Sequence, residues 1–241
     1  KSPHGNMLVS VALVVGAFVA PLMHTRTPAR ACVLACADGI FLDEAAALRE
    51  ANFPLPPDEL IGLAKGFLKS RGGFGADAEL LSENFQFVGP VVGPLSKSEF
   101  LGAIGSVDVQ QGFPDFNPQF SMFQVDPVEG NRVWYVARGR GTNTGPFPPF
   151  ATEPTGKELV NPPQACSLSF DAQGLVTKYT IGVVMDRQLG NTGGLGGLYG
   201  ILYAIGKPLP FPEAQPWKIS KRYRLFQGFG NLVSRLAKKS G

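Results

Sequence analysis

The stretch QACSLSFDAQGLVTKYTIGVV, from Gln164 to Val184, decides the fold. Two runs rich in β-branched and aromatic residues flank Asp171–Gly174, whose composition is typical of a tight hairpin turn. Two earlier segments, Gln119–Gly130 and Asn131–Thr142, alternate between two sets of side chains in the same way. Because a period of two places successive side chains on opposite faces of a strand, these segments predict an antiparallel β-sheet.

Toward the amino end the spacing of apolar residues changes to that of helices. Asp43–Pro54 and Pro56–Gly73 read as helices, the first opened by a capping acid and the second closed by a glycine pair. Asp77–Pro90 predicts a further helix with an extended exit, and Ser96–Gly105 opens with a capping-box pattern completed by Glu99. Helices followed by strands predict an α+β fold.

This order of elements resembles the nuclear-transport-factor-2-like superfamily, in its SnoaL-like polyketide cyclase branch. The resemblance covers about Pro56 to Ile201, and its local motif consists of Glu83, Phe85, Phe87, Gly89-Pro90, Gly93-Pro94, Ser96-Lys97 and Phe100-Leu101. It implies a cone-shaped, curved antiparallel sheet wrapped around the N-terminal helices. It also implies that the apolar interior of the cone is the ligand site, and that any enzyme activity is a cofactor-independent cyclase or isomerase reaction.

We divide the chain into a presequence (1–39), a SnoaL-like cone domain (40–206) and a basic amphipathic extension (207–241). Both histidines, His4 and His24, fall in the presequence. The cone domain therefore offers no His-based triad or His-ligated zinc site, and we predict no metal and no cofactor. The net charge of +3 is too small to predict a nucleic-acid partner, and the three cysteines form no disulfide framework.

The composition of the presequence is typical of a targeting signal. Met7–Pro21 is almost unbroken in its apolar character but shorter than a bilayer span, as in a secretory signal. Arg26 and Arg30 follow, with no acid before Asp38, which is a transit-peptide composition. The join around Phe18 resembles the bipartite targeting junction of algae with complex red-lineage plastids. We therefore predict a plastid protein, with secretion or a retained apolar anchor as open alternatives.

Asp186 is the candidate catalytic residue, because it ends the apolar run of the last strand. Directed into the cone, its carboxyl group would be desolvated, its pKa would rise, and it would serve as a general base. The resemblance implies that role for one pocket acid. The open alternative is a structural ion pair at the rim with one of three arginines, namely Arg138, Arg140 or Arg187. Gly190–Gly200 lacks the Lys-Ser/Thr of a phosphate loop, so it predicts a loop that closes the cone.

Five further residues are candidates for contacting a ligand: Trp134, Tyr135, Arg138, Phe147 and Tyr179. The first three and Tyr179 lie on predicted strands, where a Tyr hydroxyl is able to donate to an oxyanion. Phe147 lies in a long Pro- and Phe-rich insertion between strands, a kind of loop that often covers a site. The alternative for each aromatic residue is an ordinary place in the core or at the edge of the sheet.

The carboxyl end, 217–241, is rich in Lys and Arg and has no acid. Leu225, Phe229, Leu232 and Leu236 are spaced as one face of a helix, which favours an anionic membrane surface or an acidic partner. Packing of this helix on the domain is the alternative. Two functions remain open: a pocket protein for a small apolar carbonyl-bearing ligand, or a non-catalytic accessory or assembly protein of plastid membranes or photosynthetic complexes. A homodimer is compatible with either.

Overall fold

The structure is a computed structural model that describes the backbone of residues 39–70 and 77–239, and their side chains as far as residue 231. The chain divides into two compact units, Lys1–Asp43 and Glu44–Gly241. The helices and strands of the described part all belong to the second unit. The presequence and its targeting signal lie outside the described residues, apart from residue 39, so they remain predictions.

Six α-helices lie in the described part, and the first three and the last begin close to where the sequence predicts them. They are α1 (Glu44–Ala51), α2 (Pro57–Lys69), α3 (Lys97–Gly105), α4 (Val109–Gly112), α5 (Gly197–Ala204) and α6 (Lys221–Lys239). The capping box at the start of α3 is confirmed: the Ser96 amide donates to Glu99 Oε2 at 2.8 Å, and the Glu99 amide donates to Ser96 Oγ at 3.4 Å. This reciprocal pair satisfies backbone donors that a helix start leaves unpaired, and so fixes where α3 begins.

The strands form one open sheet and one small ribbon. They are β1 (Leu81–Val88), β2 (Leu95–Ser96), β3 (Ser121–Val125), β4 (Arg132–Ala137), β5 (Arg140–Thr142), β6 (Glu158–Val160), β7 (Gln164–Phe170) and β8 (Val176–Val184). The six-stranded sheet has the order β2-β1-β8-β7-β4-β3, and β5 pairs with β6. The predicted hairpin between β7 and β8 is present, and Asp171 Oδ1 accepts the amides of Gln173 and Leu175. The predicted α+β class is confirmed.

Register shifts interrupt three of the strand pairs in the large sheet. They lie between Leu81 and Gln86 in β1, between Ser121 and Gln124 in β3, and at two places in the β7–β8 ladder. An extra residue on one strand bends that strand and increases the local twist. The six strands therefore curve around the helices without closing into a barrel.

One predicted helix is wrong. Residues of Asp77–Pro90 form a short 3₁₀ turn, Ala78–Leu80, and then strand β1. This strand lies parallel to β8, with Phe87 opposite Tyr179, whereas every other neighbouring pair in the sheet is antiparallel. The ladder to β8 overrides the helix-like spacing of Leu81 and Phe85, because pairing with a strand distant in sequence decides the conformation.

Two hydrophobic clusters hold the second unit together. The first joins α2, α3 and the inner face of the sheet, and its largest members include Phe67, Phe85, Phe100, Tyr135, Leu168 and Tyr179. Phe67 meets Tyr179 edge to face at 5.5 Å between ring centroids, and such pairs add about 0.5–1.5 kcal/mol beyond burial. The second cluster joins α4, the 143–159 insertion and α5 around Phe113, Phe147 and Leu202.

The C-terminal segment forms a long helix, as its spacing predicts. In α6 every described side chain, from Lys221 to Asn231, is exposed. Among the described residues, no helix combines the length and the apolar character that crossing a bilayer requires.

Candidate functional site

A cavity of about 460 Å³ lies between the inner face of the sheet, α3 and the segment that begins α5. This volume falls in the range of about 300–1,000 Å³ that small-molecule sites usually occupy. Its walls are mostly apolar, and include Phe87, Phe100, Ile104, Phe120, Ile181 and Leu198. The helix α3 and the curved sheet therefore enclose a space that an apolar molecule of moderate size fits.

Tyr135 lines this cavity and carries a buried hydroxyl group. Its side chain is only 2% exposed, and its hydroxyl has no hydrogen-bond partner. The ring is fixed on both sides, since Phe120 meets it edge to face at 5.4 Å and Phe123 stacks on it at 5.4 Å. An unpaired buried hydroxyl lowers the free energy of unfolding by about 1–3 kcal/mol. The Tyr135 hydroxyl is therefore a rigidly held donor that destabilises the ligand-free protein.

Three titratable groups lie together on the inner face. Cross-strand pairing puts Tyr135 opposite Cys166, and Leu168 opposite Tyr179. Burial, followed by the nearby Tyr179 and Cys166, raises the pKa of Tyr135 well above its usual value, although neither neighbour forms a hydrogen bond of proper geometry with its hydroxyl. Burial likewise raises the pKa of Tyr179, and raises that of the Cys166 thiol to about 11. Both phenols and the thiol are therefore neutral donors near pH 7.

Asn161 contributes an acceptor to the same cavity. Its Oδ1 atom is buried and has no hydrogen-bond partner, while its backbone amide donates to the Gly139 carbonyl. A cavity lined by one residue with an unpaired donor, Tyr135, and one with an unpaired acceptor, Asn161, is suited to a ligand that carries both an oxygen acceptor and a polar hydrogen.

The glycine-rich segment after β8 packs closely against the sheet. Gln164 Oε1 accepts the Gly197 amide at 3.0 Å, and a Cβ atom added at Gly196 would collide with the Gly182 carbonyl. Residues Gly194–Tyr199 line the cavity, and their last three begin α5. The predicted loop that closes the cone is therefore partly a helix, and its glycines allow the close backbone approach.

The mouth of the cavity combines apolar side chains with one carboxylate. Val91, Val92 and Val183 are exposed where they line it, and Val91 is 49% exposed. Glu213, in the short 3₁₀ turn Pro212–Ala214, is the carboxylate among the described lining residues and is exposed. An acid thus stands at the lip of the cavity, at a different position from the predicted one.

The structure does not place Asp186 in the cavity. Its side chain is exposed and outside the lining, and its Oδ1 accepts the Gln188 amide at 2.9 Å in a local turn. Strand β8 ends at Val184, so the following residues leave the sheet before Asp186 is reached. The desolvation expected for its carboxyl group is absent. The alternative ion pair is not found among the described residues either, since Arg187 lies over the Trp217 ring at 4.6 Å.

Two of the five predicted ligand contacts, Tyr135 and Tyr179, line the cavity. Trp134 does not, because adjacent strand residues face opposite sides; its indole donates to Asp126 Oδ2 at 2.8 Å. Arg138 is exposed outside the lining, and its Nη1 donates to the Ser121 hydroxyl at 3.3 Å.

Phe147 is also outside the lining, and it is fully buried in the second cluster against Phe113. The structure therefore places Phe147 in a core position and not over the mouth of the cavity. Asn161 and Glu213 are among the cavity residues that the sequence did not single out. Both lie outside regular strands, so no periodicity indicates which way they face.

No family model matches the chain, and no curated protein matches it. Solved structures do resemble it in fold. A protein from Jannaschia sp. CCS1, assigned to the SnoaL-like polyketide cyclases, is 18% identical; the match covers 64% of this chain and 95% of that one, with a TM-score of 0.45. AclR from Streptomyces galilaeus, assigned as a hydroxylase, is 14% identical over 76% of this chain and 97% of its own, with a TM-score of 0.45.

A phenazine biosynthesis-related protein from Pseudomonas aeruginosa is 15% identical, with 74% of this chain and 96% of that one covered and a TM-score of 0.39.

Proposed function

We propose that the cavity binds a small apolar ligand whose oxygen atom accepts a hydrogen bond from Tyr135. The observation that carries this proposal is the unpaired hydroxyl of Tyr135, a residue that is 2% exposed and lines an apolar cavity of about 460 Å³. A carbonyl or hydroxyl oxygen on the ligand removes the cost of leaving that donor unpaired. The rest of the ligand gains from burial against the aromatic walls.

The test uses a matched pair of bicyclic ligands, 2-acetylnaphthalene and 2-ethylnaphthalene, which differ mainly in the carbonyl group. Isothermal titration of the full chain is expected to show tighter binding of the ketone by about fivefold, because one hydrogen bond contributes about 1 kcal/mol. In Tyr135→Phe this preference is lost, while the hydrocarbon still binds.

Two controls separate the hydroxyl from general packing. Tyr223→Phe changes an exposed tyrosine outside the cavity and is expected to leave both affinities unchanged. Ala137→Leu fills part of the cavity and is expected to weaken both ligands. Equal binding of the two naphthalenes to the wild-type chain would contradict the role of Tyr135, and failure of both to bind would contradict the ligand site.

Glu213 favours a second, catalytic function at the same site, namely a cyclase- or isomerase-like proton transfer. The Tyr135 phenol donates to the ligand's carbonyl oxygen as it gains negative charge, which is how an oxyanion is stabilised. The Glu213 carboxylate at the lip takes a proton from the carbon next to that carbonyl and returns it to the resulting enolate. No cofactor takes part in this exchange.

Proton nuclear magnetic resonance in D₂O measures this step directly, as exchange of the methyl protons of 2-acetylnaphthalene. Exchange above the uncatalysed rate is expected for the full chain and is lost in Glu213→Gln, while titration shows that the ketone still binds. Exchange that persists in Glu213→Gln would remove Glu213 from this role, and no exchange at all would leave the cavity as a binding site without catalysis.

A further inference from the structure

We infer that α6, together with Trp217 and Ile219 just before it, lies on an anionic membrane surface. This inference does not depend on what the cavity binds. Residues 217–231 run as a continuous exposed stretch, without one buried side chain. The long helix therefore has no protein core on its described length to account for its apolar residues.

The apolar side chains of this segment are large and open to water. Leu225 is 77% exposed, Phe226 72%, Phe229 65% and Trp217 62%. The residues at 225 and 229 are one helical turn apart, so they share a face of α6. Exposed apolar residues grouped on one helix face mark a surface that another phase or molecule covers.

The charge of the same segment determines which surface fits. Its basic residues are Lys218, Lys221, Arg222, Arg224, Arg235, Lys238 and Lys239, and no acid follows Glu213 in the chain. Basic side chains attract the negative headgroups of a membrane, while Trp and Phe enter the boundary between headgroups and acyl chains. Aromatic and cationic residues interleaved in this way fit an anionic bilayer surface better than a purely acidic protein.

The helix α6 also has a low intrinsic stability, which contact with a surface would raise. Gly228 and Gly230 lie in its interior, where each lowers the stability of an isolated helix. A basic amphipathic helix gains its stability from the interface on which it lies.

The start of α6 is held near the cavity. Arg187 lies 4.6 Å over the Trp217 ring, and Pro216 packs against Gly193, next to the wall segment Gly194–Tyr199. Three residues separate Trp217 from Lys221, so α6 begins within about 14 Å of Trp217. Membrane binding therefore brings the cavity close to a bilayer. We also infer that the ligand enters the cavity from the bilayer; this step rests on the proposed function.

Vesicle flotation of the full chain tests the membrane inference. One set of vesicles is pure phosphatidylcholine, and the other also contains about 30% phosphatidylglycerol, so that only the second is anionic. The chain is expected to float with the anionic vesicles more strongly, and added salt is expected to weaken that binding. The apolar run Met7–Pro21 is common to every variant, so the readout is the difference between variants.

Arg222→Gln with Arg224→Gln is expected to weaken partitioning into anionic vesicles by about 25-fold, at roughly fivefold per basic residue. Phe226→Ser with Phe229→Ser is expected to weaken it at least as much. Arg49→Gln with Lys69→Gln, an equal loss of charge on α1 and α2, is the matched control and is expected to change nothing. All of these side chains are exposed, so the variants should fold.

Three results would overturn the inference. The first is equal flotation of the wild-type chain and both α6 double variants. The second is binding of α6 to an acidic peptide such as polyglutamate, without any preference for anionic vesicles, which would indicate an acidic protein partner. The third is a dimer in size-exclusion chromatography that Phe226→Ser with Phe229→Ser dissociates, which would indicate that a second copy of the chain covers the helix.

Discussion

Replacing Tyr135 with phenylalanine is expected to make the ligand-free protein more stable. The change removes a hydroxyl that is buried and unpaired, and keeps the ring that packs between Phe120 and Phe123. An unpaired buried hydroxyl costs about 1–3 kcal/mol, so a gain of about 1 kcal/mol in the free energy of unfolding is a conservative expectation. For a domain of this size, such a gain raises the Tm by about 2–4 °C.

Urea unfolding followed by circular dichroism measures the change, with Tyr223→Phe as a control that is expected to stay within about 0.5 kcal/mol of the wild type. A saturating carbonyl ligand is expected to reduce or reverse the difference, because it stabilises the wild-type protein more than the variant. The sign of the effect therefore depends on whether the ligand is present. Destabilisation of the ligand-free Tyr135→Phe protein would show that the hydroxyl is already hydrogen-bonded, and would refute the reasoning.

Three further predictions concern the frame of the site. Asn143 is fully buried and its amide makes four hydrogen bonds that tie the insertion after β5, so Asn143→Ala is expected to lower the free energy of unfolding by about 3 kcal/mol in urea titration. Cys166, with a pKa of about 11 against an ordinary 9.0, is expected to react with iodoacetamide about 100-fold more slowly in the folded protein than in urea at pH 8, as peptide mapping measures. The unfolded thiol releases its proton first, so this group's contribution to stability falls as the pH rises from 9 to 11. Gly196→Ala is expected to displace the cavity wall from the Gly182 carbonyl and weaken 2-acetylnaphthalene binding, whereas Gly102→Ala, with open space around it, leaves binding intact.

The parts of the fold that local chemistry determines could be predicted from the sequence. The capping box begins α3 at the expected place, and Asp171 closes the β7–β8 hairpin through its own side chain. Strand β1 was predicted as a helix because Leu81 and Phe85 are four residues apart, which suits one face of a helix. Its actual partner, β8, lies far along the chain, and local spacing carries no information about that pairing.

The residues of the candidate site also differ in how well the sequence predicts them. Tyr135 and Tyr179 could be predicted because both lie within regular strands, where alternation leaves only two possible directions for a side chain. The same alternation excludes Trp134, the immediate neighbour of Tyr135, from the cavity. Asp186 lies beyond the end of β8 and Glu213 lies in a 3₁₀ turn after α5, so backbone turns decide which carboxylate reaches the lip. The sequence therefore predicts the floor of the cavity better than its mouth.

The parallel pairing of β1 with β8 has a consequence for biosynthesis. Phe87 on β1 pairs with Tyr179, which is synthesised roughly ninety residues later. Contacts between residues so distant in sequence form slowly. Until then the nascent chain presents β1 with one edge unpaired, a template for association with other chains. We expect this protein to complete its sheet only after β8, which ends at Val184, has been translated, and to depend on chaperones during that interval.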